Sequence, residues 1–97
     1  MAKQKPTYQK AHDEVYECVY KATIEDPVLE KKKDKAKLVK DLRLGGNDLV
    51  WIAGRLSDLS KSYGGSYIYS SEVEACDTVG DLVALYAKAL GVDVPEE

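Results

Sequence analysis

Thr78-Val79-Gly80-Asp81-Leu82-Val83-Ala84-Leu85-Tyr86-Ala87-Lys88-Ala89-Leu90-Gly91 holds the start, body and stop of one helix within fourteen residues. Thr78 and Asp81 stand three apart, the spacing of a capping box with aspartate in place of glutamate. Each side chain can reach the other's backbone N–H, satisfying donors that the first helical turn leaves without an intrahelical partner. Val79, Leu82, Val83, Tyr86, Ala89 and Leu90 then recur at steps of three and four, one apolar stripe along a helix. Gly91 supplies the left-handed residue on which helices commonly end.

Further back, Gly45-Gly46-Asn47-Asp48 announces another helix, with Asn47 or Asp48 able to accept the free N–H groups of its first turn. Its apolar set is Leu49, Ile52, Ala53, Leu56, Leu59 and Tyr63, which falls within about 280° to 40° when projected at about 100° per residue. Gly64-Gly65 closes it. From Thr7 to about Ile24, apolar residues at Tyr8, Ala11, Val15, Cys18, Val19 and Ala22 give a first amphipathic helix, which Asp26-Pro27 stops. The connector between the first two helices is long and charged, with Leu38, Val39 and Leu42 as its strong apolar anchors, and should contain one or two helical turns. Tyr67-Ile68-Tyr69 has strand-like composition, but a lone strand has nothing to pair with, so 66–75 reads as loop or short helix. The expectation is all-α: a small bundle of three main helices plus a short extra one. It forms a single domain over 7–91 between a flexible tail at 1–6 and an acidic tail at 92–97.

With 97 residues the chain is one domain with little room for an internal active site. No apolar run approaches the ~20 residues of a membrane span. The start, Met1-Ala2-Lys3-Gln4-Lys5-Pro6, has no apolar stretch behind its basic residues, so a cytoplasmic address is expected. Charge is uneven: residues 1–45 hold 11 Lys/Arg against 8 Asp/Glu, and residues 46–97 hold 3 against 9. The densest basic run is Lys31-Lys32-Lys33-Asp34-Lys35-Ala36-Lys37. With a pI near 5.2 and no interleaved aromatics it reads as a solvated loop rather than a nucleic-acid site. Cys18, Cys76 and the lone His12 have no metal-ligand spacing; the cysteines read as small buried hydrophobes and His12 as a surface residue. There is no Ser/His/Asp set, phosphate-cradling glycine loop or working carboxylate pair, so no enzyme activity, metal or cofactor is expected. Gly45-Gly46 before a helix could hold an anion, but capping uses the same residues. Tyr8, Tyr63 and Tyr86 belong to apolar stripes. Tyr16, Tyr20, Tyr67 and Tyr69 either line one groove or lie singly on the surface.

Across roughly residues 8–91 this pattern resembles the acyl carrier protein family. Leu38-Val39-Lys40-Asp41-Leu42 is similar to the segment before the family's Asp-Ser-Leu motif. Leu59 and Tyr63 match positions closing its second helix, and Ile68 and Cys76 fit sites flanking its short helix. Thr78-Val79 and the run from Asp81 to Tyr86 resemble its last helix. The resemblance implies a helical bundle whose motif serine carries 4′-phosphopantetheine. Anchored on Leu49, the serine position is Asp48; counted back from Tyr63, it is Leu49. Neither has a hydroxyl, and two or three extra residues around Arg43 to Gly46 lengthen the approach. Without the serine there is no phosphoester link to the prosthetic group.

The family usually presents an acidic second helix to its enzymes, whereas here Asp48 and Asp58 are balanced by Arg55 and Lys61. The outward face instead shows Trp51, Arg55, Asp58 and Ser62, between about 180° and 240° in the same projection. A tryptophan on a polar face is either buried against the connector or part of a contact surface, since Trp and Arg dominate binding hot spots. The expectation is a carrier-like, non-catalytic, monomeric module that binds a protein such as a synthase, ligase or transferase. The alternatives are a specialised acyl carrier of fatty-acid or polyketide-type synthesis, which would need 4′-phosphopantetheine, and an unrelated helical adaptor.

Overall fold

The computed structural model describes residues 6–23 and 31–92. Helix α1 spans Tyr8–Ala22, a single 3₁₀ turn spans Lys33–Lys35, α2 spans Gly46–Ser62, the short α3 spans Ser70–Glu74 and α4 spans Val79–Leu90. Among the described residues there is no strand, only an isolated antiparallel bridge between Lys37 and Thr78. The chain is a small all-α bundle. Both terminal tails (apart from Pro6 and Val92) and the Asp26-Pro27 stop lie outside the described residues; α1 ends at Ala22, with Thr23 as its C-cap.

Local signals place most of these bounds. Thr7 caps α1 by accepting the Lys10 N–H. The box on α4 closes both ways: Thr78 Oγ1 accepts from Asp81 N, and Asp81 Oδ2 accepts from the N–H groups of Thr78 and Asp77. Gly91 ends α4 at φ 76°, left-handed backbone that suits glycine. The cap of α2 differs from the expectation: Gly45 is the N-cap, and Asp48 reaches back to accept its N–H at 2.9 Å.

Helix α1 packs mainly on α4 and also on α2, and α2 covers α3. The core joins Val15, Cys18 and Val19 of α1, Ile52 and Leu56 of α2, Val73 of α3, and Leu82, Val83, Tyr86 and Leu90 of α4. Two apolar assignments change. Ala87 of α4 is fully buried while Ala89 is only partly so. In the connector, Val39 is 59% exposed and Leu44 is buried in its place. Leu44 N donates to Leu38 O at 3.0 Å, which closes a turn with Val39 outside and Leu38, Leu42 and Leu44 inside. Two hydrogen bonds tie this connector to the start of α4: Leu38 N to Asp77 O and Val79 N to Ala36 O, both at 2.9 Å.

Candidate functional site

The inner face of α2 is made by Leu49, Ile52, Ala53, Leu56, Ser57 and Ser60, all buried. Leu59, expected inside, is only partly buried. Ser57, at about 80° in the same projection, shifts the buried arc, and both serines hold the loop that follows. Ser57 Oγ donates to Ile68 O at 2.6 Å and accepts from Ile68 N at 2.9 Å, while Ser60 Oγ donates to Ser66 O at 2.8 Å. Gly65 lets this loop close on the bundle: a Cβ there would stand 2.4 Å from Ser60 Oγ and 2.7 Å from Ala89 O.

With that side fixed, the opposite face points outward. Trp51 keeps 47% of its surface exposed and Val50 52%. Arg55, one turn beyond Trp51, is exposed, as is Asp58, and Arg55 forms no ion pair among the described residues. Gly54 stands on the same side with nothing within 4 Å of where a Cβ would be. A mid-helix glycine costs about 1 kcal/mol relative to alanine, and here it leaves bare backbone at the edge of that face. Ser62 belongs to this face by angle but is half-buried, its hydroxyl turned back onto Leu59 O at 2.7 Å. Trp51, Arg55 and Asp58 therefore share an open surface, and Ser62 stands at its edge.

Positions 48 and 49 differ in kind. Leu49 is only 5% exposed and packs in the core, whereas Asp48 is half-buried at the helix start. Only position 48 could carry a group that reaches solvent.

Other polar groups are brought together from distant parts of the chain. His12, expected on the surface, has a side chain only 23% exposed. Its Nε2 lies 2.9 Å from Asp34 Oδ1, its ring stacks on Tyr16 at 4.3 Å, and Tyr16 OH donates to the same Asp34 oxygen. Burial and this bond to Asp34 both push the Tyr16 hydroxyl well above the usual tyrosine range. Tyr20 also packs against the core. Glu14, which the sequence reading passed over, accepts from Tyr63 OH at 3.0 Å and Tyr86 OH at 3.1 Å. Its sequence signal was its place on the flank of the α1 stripe, beside Ala11, Val15 and Cys18. Neither cysteine is activated: burial pushes the Cys18 thiol to about 12, and burial with the Asp81 and Glu72 charges pushes Cys76 to about 11. A crevice of about 70 Å³ between α1 and α2 is lined by Glu14, Glu17, Cys18, Lys21, Arg55 and Leu59. Among the described residues, no group of three or more His, Cys, Asp or Glu could hold a metal ion.

No protein-family model, curated protein or solved structure matches this chain. No described helix is long and apolar enough to cross a membrane.

Proposed function

We propose that the chain is a non-catalytic protein-binding module, carrier-like in layout, whose recognition surface is the outer face of α2. The observation that carries this reading is Trp51, 47% exposed on α2, with Arg55 exposed one turn along and in no ion pair among the described residues. An indole and a planar guanidinium on adjacent turns supply the residue types on which interfaces concentrate their energy. Asp58 lies at the far end of the face and Ser62 at its rim. The partner class suggested by the resemblance is a synthase, ligase or transferase.

Affinity capture followed by titration tests this. Trp51→Ala should weaken the captured partner by ~2 kcal/mol or more, as hot-spot tryptophans do. Lys88→Ala, on exposed α4 surface, should leave binding unchanged. A partner indifferent to both Trp51→Ala and Arg55→Ala would refute the proposal. The carrier alternative is tested by intact mass after coexpression with a phosphopantetheinyl transferase. With Asp48 and Leu49 at the two matching positions, the unmodified mass is expected, and a gain of one prosthetic arm would replace the module reading by the carrier one.

A further inference from the structure

The connector gathers positive charge that the bundle does not consume. Lys31, Lys32, Lys35, Lys37 and Lys40 surround one open depression, with Asp41 the only acid in its lining among the described residues. That acid is already engaged: Asp41 accepts from Lys37 N at 2.9 Å and Lys32 Nζ at 3.0 Å, contacts that hold its carboxyl below the usual range. The segment's other described acid, Asp34, is taken by His12 and Tyr16. Lys31, Lys35, Lys37 and Lys40 consequently form no ion pair among the described residues.

From this arrangement we infer that the connector's basic face is a docking surface for an anionic lipid bilayer, a site separate from the α2 face. Three features favour a bilayer over other polyanions. The cations are lysines, compact point charges suited to a diffuse layer of headgroups rather than arginine forks that grip single phosphates two-handed. Val39, 59% exposed between Lys37 and Lys40 in the chain, offers an apolar side chain to the headgroup layer, where a nucleic-acid backbone has no use for one. The aromatics beside the basic run, His12 and Tyr16, are engaged with each other, stacking at 4.3 Å, and with Asp34 through His12 Nε2 and Tyr16 OH.

Co-sedimentation with vesicles tests this, using phosphatidylcholine alone and phosphatidylcholine with about one-third phosphatidylserine. Binding is expected only to the anionic vesicles and should fall at least ~tenfold as salt rises from about 0.05 M to about 0.3 M. Each lysine near such a surface is worth roughly fivefold in partitioning, so Lys31→Glu/Lys35→Glu/Lys40→Glu should lower it by at least ~100-fold with the helical circular dichroism retained. Should that triple variant lose its fold, Lys40→Glu alone is the measure, with a loss of at least ~fivefold. Val39→Ser should cost a smaller, salt-independent ~threefold. No pelleting with anionic vesicles, or equal pelleting of wild type and a folded variant, overturns the inference. So does tighter binding to a labelled single-stranded oligonucleotide than to the vesicles, which would assign the lysines to nucleic acid.

Discussion

The two faces of α2 invert the expected sorting of residues. Inside are two hydroxyls, Ser57 and Ser60, at 2% and 0% exposure; outside are a tryptophan and a valine, each about half exposed. The inner serines cost little because their partners arrive with them. Ser57 gives Ile68 both a donor and an acceptor, standing in for the neighbouring strand that an isolated extended residue lacks, and so fixes Ile68 in the core. The outer pair has no such account within the bundle. Burial along a helix follows what the neighbouring segment brings, and an apolar residue left outside points to a use beyond the fold.

Raising the pH attacks the inner side as a whole and should have the largest effect. Burial, first among the causes, pushes Cys18 from 9.0 to about 12 and raises the Tyr86 and Tyr63 hydroxyls that donate to Glu14. Each group is neutral in the fold and ionises more easily in the unfolded chain. Its contribution is therefore full below the unfolded value and is lost as pH climbs through the folded one. Stability should be flat up to about pH 9 and fall cooperatively between about pH 9 and 12, followed by far-UV circular dichroism. Unfolding midpoints in urea that hold constant across that window would show that these groups are solvated. Next in size is Leu56→Ala, at a fully buried position, with ~2–5 kcal/mol expected against less than ~0.5 for Val50→Ala on the outer face. Equal losses in urea melts would mean the helix is rotated.

A subtler measure of the same contrast is Ser57→Ala. It removes one hydroxyl and strands both the N–H and the C=O of Ile68, so ~1–3 kcal/mol is expected. Ser62→Ala should change stability by less than ~0.5 kcal/mol, because its hydroxyl bonds only within its own turn. Hydrogen exchange at Ile68 should accelerate in Ser57→Ala alone, and unchanged protection would detach the serine from the loop.

Legibility in the sequence follows the range of the interaction. The cap, stripe and stop of α4 are local, and its helix over Val79–Leu90 lies where Thr78, Asp81 and Gly91 put it. The aliphatic stripe of α2 and the first turns of α1 are local in the same sense. Ser57 and Ser60 depend on residues eleven and six positions away, so the apolar set alone does not reveal their burial. Val39 and Leu44 exchange roles because the Leu38–Leu44 closure decides which side of the turn meets the core, and no periodicity operates in a turn. The pairing of His12 with Asp34, 22 residues on, is longer in range still. For the candidate site, the angle of Trp51 on the helix was readable. Its exposure was not, because that depended on where the connector would lie.

Trp51→Ala should be the mildest of these changes to the fold and the most telling about function. About half of the residue is exposed, so truncation should cost about 1 kcal/mol or less, compared with ~3–5 for a core tryptophan. It is the sole tryptophan in the chain, so its fluorescence reports this one site. A half-exposed indole should emit toward the red, acrylamide should quench it, and quenching should fall when the partner of the α2 face is added. A blue emission that resists acrylamide in the free protein would bury Trp51 under the connector and remove the anchor. A red, quenchable emission that a bound partner leaves unchanged would keep the exposed ring but move the interface elsewhere. Because the ring contributes so little to stability, weaker binding by a Trp51→Ala protein with a native melt must come from the lost contact itself.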